Sequence, residues 1–182
     1  VIYLEKLLEL YNNTDRAGLL SSLDEPLYAT ANVPYRIKPF ADLVKDPRNS
    51  ILFDHDLNNA IMEATAQKGT DAKLILGADG QPALVSITSK LLQIIIGKAG
   101  NFIPGGGIWL NTQRPEWNDA NNALAGYGLS IVTLCYLRRM LAFMIDIYKS
   151  TSIDSFNIPG EIANCIIALG EIYKEFDPEA TA

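Results

Sequence analysis

The sequence predicts a mainly α fold, built of helical hairpins with a small β-hairpin insertion. Three observations carry that expectation. Apolar residues recur at helical spacing over most of the chain. The starts and stops of these runs coincide with Asp, Asn, Gly and Pro. Only one stretch, Lys73 to Ile87, reads as two short strands around an Asp-Gly turn.

Taken in order, Ile2, Leu4, Leu7, Leu8 and Tyr11 follow helical spacing with Glu5, Lys6 and Glu9 opposite, and Asn12-Asn13 ends this amphipathic helix. A second short helix runs from Asp15 to Leu23 and stops before Pro26. Residues 24–49 carry Pro26, Pro34, Pro39 and Pro47, so a long loop is expected there. Its Tyr28, Tyr35 and Arg36 either tether it to the body or line a cleft.

Asp54-His55-Asp56 opens a helix that runs to about Gln67 and ends at Gly69. Two acids flanking the single histidine invite a metal reading, but adjacent helical positions diverge by about 100°. First-turn acids favoured by the helix dipole account for the triplet better, so no metal site is expected.

In the Lys73 to Ile87 hairpin, Gly77 and Pro82 keep the pairing short. Ser89 to Ile96 is dense in apolar residues and is followed by Gly97 and Gly100; it reads as a short helix, with a buried strand over Leu91 to Ile96 as the alternative. Pro104-Gly105-Gly106-Gly107 lacks the Lys-Ser or Lys-Thr pair of a phosphate loop. Its glycines are read as clearance for a ligand or a neighbouring backbone.

From Asn121 to Lys149 the pattern is one long helix, apolar nearly all round. Gly126 and Gly128 inside it imply close packing or ligand space near Tyr127. A last helix, about Pro159 to Phe176, carries Glu161 in its first turn and packs Ile162, Cys165, Ile166 and Leu169 on one side.

A chain of 182 residues with 48% hydrophobic content suits one globular domain with a real core. Its formal charge of -6, with no basic block or basic-aromatic repeat, argues against nucleic acid as a partner. The uncharged run Ala123 to Leu137 is shorter than the roughly 20 residues that span a bilayer and is closed by Arg138-Arg139, so no membrane span is expected. No charged n-region leads into an apolar stretch and a cleavage site, but a truncated chain would have lost any signal peptide, so the location is left open with the cytoplasm slightly favoured. Cys135 and Cys165 sit among apolar neighbours and are expected to behave as small buried hydrophobes rather than as a disulfide framework.

The densest chemistry lies in Gln113-Arg114-Pro115-Glu116-Trp117-Asn118-Asp119-Ala120-Asn121-Asn122. An acid can protonate a glycosidic oxygen, amides can bond sugar hydroxyls, and an indole can cover the apolar face of a pyranose. The bland alternative is that Asn118 or Asp119 only caps the following helix. Both uses are compatible.

Glu116-Trp117-Asn118-Asp119-Ala120-Asn121-Asn122 resembles the Asp-Trp-Asn-Asp-Gly-Met-Asn type of segment in inverting disaccharide phosphorylases of the cellobiose phosphorylase kind, within the six-hairpin, (α/α)6-toroid glycosidases. Glu116, Ala120 and Asn121 depart from that pattern. The resemblance covers about residues 101–140 and implies that the helical hairpins form part of an (α/α)6 toroid. It also implies cleavage of a glycosidic bond with inversion, by hydrolysis or phosphorolysis. Asp119 matches the general acid; Trp117 and Asn118 match neighbours that shape the sugar site.

With burial beside Trp117, a carboxyl would hold its proton at higher pH than usual. Arg114, Glu116, Asn121, Asn122, Trp109 and Tyr127 complete the expected substrate contacts, Glu116 bonding hydroxyls or pairing with Arg114. The implied partners are a disaccharide or oligosaccharide and, for phosphorolysis, inorganic phosphate; no cofactor is implied. Since a whole toroid needs roughly twice this length, the chain is expected to be part of a larger catalytic domain that self-associates through exposed helix faces. The rival expectation is a non-catalytic helical domain binding carbohydrate or protein, with Trp109, Trp117 and Tyr127 as platforms.

Overall fold

The computed structural model describes residues 2–111 and 124–175. Helix accounts for 57% and strand for 13% of them, the strands in small antiparallel sheets, so the class is mixed α and β. This overturns the expectation of a mainly α chain forming part of an (α/α)6 toroid. The physical reason is local. Pro and the residue before it favour extended backbone, and short strands form within the stretch expected to be a proline-rich loop.

Helix α1 (Ile2–Thr14) is followed by α2 (Arg16–Ser22), whose N-cap Asp15 accepts from Gly18 N–H at 3.0 Å. The proline-rich stretch contains β1 (Tyr28–Ala29), β2 (Tyr35–Ile37) and α3 (Phe40–Lys45), and β3 (Ile51–Phe53) follows it. Strands β2 and β3 pair antiparallel with Tyr35 opposite Phe53. Helix α4 (His55–Lys68) starts at N-cap Asp54, which accepts from Leu57 N–H at 2.9 Å, and stops at Gly69 with φ +88°.

The expected hairpin over Lys73 to Ile87 is a narrow one, with Leu76 bridging Pro82 around Gly77 to Gly80. Its arms also bond to the β1 region, through Ile75 N–H to Thr30 O and the pairing of β4 (Leu84–Val85) with β1. Helix α5 (Ile87–Ala99), capped by Ser86, settles the ambiguous apolar run as helix. Strands β5 (Phe102–Ile103) and β6 (Gly107–Trp109) enclose the Pro-Gly-Gly-Gly turn, and β7 (Leu129–Ser130) completes a sheet of order β5-β6-β7. A Cβ on Gly107 would lie 3.0 Å from the Ser130 carbonyl, so the clearance there serves a neighbouring backbone.

The long helix expected from Asn121 begins only at Ile131: α6 spans Ile131–Lys149, with Ser130 Oγ accepting from Thr133 N–H at 3.1 Å. Gly126, at φ +81°, stands in a turn and not in a helix. Helix α7 (Gly160–Glu175) closes the described chain.

The described residues divide into two compact units. The first comprises the described parts of Val1–Leu27, Val85–Ile108 and Ser130–Ala182. Leu19, Leu23, Leu91 and Ile108 form its core with Leu137, Met140, Met144 and Ile147, four α6 residues at spacings of three and four. One α6 face is therefore buried; Val132, Leu141 and Ile145 are exposed, as are Cys135 and, on α7, Cys165, so neither thiol is the buried hydrophobe expected.

Helix α1 keeps Leu8 of its expected apolar face in the core, but other positions depart from the pattern. Glu5 is buried and accepts from Arg139 Nε–H at 2.6 Å, whereas Tyr3, Leu7 and Leu10 are exposed. The second unit comprises Tyr28–Leu84 and the described parts of Trp109–Leu129. No helix among the described residues is long and apolar enough to cross a membrane.

Candidate functional site

Arg114, Glu116, Trp117, Asn118, Asp119, Asn121 and Asn122 lie outside the described residues. Trp109 and Tyr127, the two expected contacts flanking them, are described, and both belong to the second unit. The chain enters the intervening segment from β6 and returns through the turn at Gly126 to Gly128. These two ends are tied together. Gly126 N–H donates to Leu110 O at 2.6 Å, Leu110 N–H donates to Gly128 O at 3.0 Å, and the Trp109 indole N–H donates to Gly126 O at 3.2 Å.

Glycine is required at 126 on two counts. Its φ of +81° is strained for any L side chain, and a Cβ there would fall 2.2 Å from Pro47 Cβ and 2.6 Å from Pro47 O. The proline-rich stretch thus lies directly against this turn. It brings Arg48 over the Tyr127 ring, with the guanidinium carbon 5.9 Å from the centroid. Phe40, at the start of α3, sets its ring edge-on to Trp109 at 6.1 Å and 77°. Tyr127 is 65% exposed and Phe40 70% exposed, so the base of the segment is framed by accessible aromatic surface and one cation.

Phe40 and Arg48 are the residues that sequence reasoning missed. Each directly follows a proline, Pro39 or Pro47, and that pattern marks a side chain held on a stiff backbone. Tyr28, Tyr35 and Arg36, singled out in the same stretch, are placed otherwise. Tyr35 packs edge-on against Phe53 at 5.1 Å, and Arg36 Nε lies 3.9 Å from an Asp54 carboxylate oxygen. These are tethering contacts, while Tyr28 sits on β1.

The second unit also holds a cleft of about 330 Å³ between α4 and the residues 72–76. Leu57, Ala60, Ile61 and Ala64 form its α4 side, and Asn32 is the one polar residue in its lining. It contains none of Tyr28, Tyr35, Arg36, Trp109 or Tyr127. With no carboxylate in its wall, it has no acid to offer a glycosidic oxygen.

Among the described residues no group of three or more His, Cys, Asp or Glu side chains is placed to hold a metal ion. Asp54 is occupied in capping α4, and the His55 ring stacks edge-on against Phe53 at 4.7 Å. No family model matches the chain, and no curated protein matches it.

Proposed function

We propose that this chain acts on carbohydrate through the segment Gln113 to Asn122, with Asp119 as the general acid in inverting cleavage of a glycosidic bond. The observation that supports this reading is the tie between Leu110 and the Gly126–Gly128 turn. It joins the described residues on either side of a sequence rich in acids and amides, and the joined stretches carry the exposed Tyr127 and the half-buried Trp109. Flat rings beside polar side chains suit a pyranose, which has an apolar face and a polar rim. Trp117 and Asn118 shape the sugar site in this reading, Glu116, Asn121 and Asn122 bond hydroxyls, and Arg114 pairs with Glu116 or with the substrate.

A second reading, binding of carbohydrate without catalysis, draws on the same exposed rings, because stacking on Tyr127 requires no acid. The test that separates the two uses a panel of disaccharides with and without inorganic phosphate, following sugar release and the anomer formed. Asp119→Asn should lower turnover about 10²- to 10⁴-fold for a substrate with a poor leaving group, and far less for an activated aryl glycoside. Unchanged turnover per folded molecule in Asp119→Asn would exclude the acid role. Saccharide binding with no turnover in the parent chain would favour the second reading.

A further inference from the structure

This inference rests on the carbohydrate reading above and concerns which sugars the site takes. We propose that Arg48, seated over Tyr127, selects acidic glycans, with a uronate carboxylate bound by the guanidinium edge while the sugar lies on the neighbouring aromatic surface.

Arg48 is exposed, and its guanidinium carbon stands 5.9 Å from the Tyr127 centroid. The ring's negative face interacts with the cation but leaves the in-plane N–H donors of the guanidinium available. Among the described residues no carboxylate pairs with Arg48, in contrast to Arg139, with Glu5 at 2.6 Å, and Arg36, with Asp54 at 3.9 Å. An exposed guanidinium with no carboxylate partner among the described residues can offer its paired N–H donors to a planar oxyanion.

The position is not accidental. Pro47 restricts the backbone just before Arg48 and is the residue against which Gly126 closes, so the same contact that anchors the turn also sets the cation beside Tyr127. Since the chain carries a net charge of -6, its overall field disfavours acidic ligands. Any preference for them must come from a local cation, and it should weaken with salt.

The test is titration of the full chain with trigalacturonate and with the neutral galactotriose, each at low and at physiological ionic strength. The acidic trisaccharide should bind roughly tenfold tighter or better, as one charge-assisted pair implies, and the difference should shrink with salt. Arg48→Gln should bring the two ligands to parity, Arg48→Lys should retain part of the preference, and Tyr127→Ala should weaken both. Equal affinities in the parent chain, or a preference unchanged in Arg48→Gln, would overturn the proposal while leaving carbohydrate recognition intact. Binding of neither trisaccharide would overturn both.

Discussion

Replacing Gly126 by alanine tests the anchoring of the candidate site directly. The added Cβ would sit 2.2 Å from Pro47 Cβ and 2.6 Å from Pro47 O, against the roughly 3.5–4.0 Å at which carbon atoms rest in contact. Pro47 cannot swing away as a long side chain would, so backbone must shift on one side. Two costs then add: about 1–2 kcal/mol for an L residue held in the left-handed region, and about 1–3 kcal/mol for overpacking. The total is roughly 2–5 kcal/mol.

Gly80 supplies the internal control. Its φ is +77°, yet nothing lies within 4 Å of its Cβ position, so Gly80→Ala should cost only the conformational part, about 1–2 kcal/mol. Urea denaturation followed by tryptophan fluorescence would measure both, and Trp109, bonded to Gly126 O, reports from the affected turn. If Gly126→Ala costs no more than Gly80→Ala, the close approach of Pro47 and the anchoring built on it are wrong.

Two further predictions concern the first unit. Arg139→Ala strips the buried Glu5 of its charged partner while Glu5 Oε2 already lacks one among the described residues, and should cost roughly 1–3 kcal/mol. Lys6→Ala, at an exposed pair with Glu9, should stay within about 0.5 kcal/mol; equal urea midpoints for the two variants would contradict this. Tyr148 donates to Thr88 Oγ1 at 2.9 Å, and burial raises its pKa above the ordinary tyrosine value. The folded state therefore keeps this proton longer than the unfolded one, so the contribution is complete below about pH 10 and is lost as pH rises through the folded pKa. Tyr148→Phe should flatten the alkaline fall in stability; an unchanged profile would show that the hydroxyl is not the group responsible.

Helices whose boundaries are set by local chemistry were legible in the sequence. Asp54 and Gly69 bracket α4 as a capping residue and a positive-φ glycine do, and Asp15 starts a helix in the same way, whereas the Ser86 cap of α5 lay inside the expected hairpin. Part of what failed depended on contacts distant in sequence. The glycines at 126 and 128 looked like weak points of one long helix, because nothing nearby reveals that Pro47 closes on Gly126. The Ser130-x-x-Thr133 start was overlooked inside an apolar run that satisfies helical periodicity on either side of it.

On α1, Glu5 and Leu7 exchanged their expected faces, since periodicity cannot foresee Arg139 arriving 134 positions later. The short strands were illegible for a related reason: β1 to β4 hold only two or three residues each, too few for alternation to register. Of the candidate site, Trp109 and Tyr127 stand out in the sequence because they flank an unusual motif. Phe40 and Arg48 come from a stretch some 70 residues earlier in the chain, and beyond the prolines before them nothing local shows that they lie beside these rings.

The tie between Leu110 and Gly126 also sets how freely this protein can vary. Closing a loop costs free energy that grows only with the logarithm of its length, about 0.6 kcal/mol for each doubling. Because the hydrogen bonds at the base belong to residues outside the segment they close, substitutions, insertions or deletions between them leave that closure in place. For the same reason, this base is where a foreign loop could be grafted.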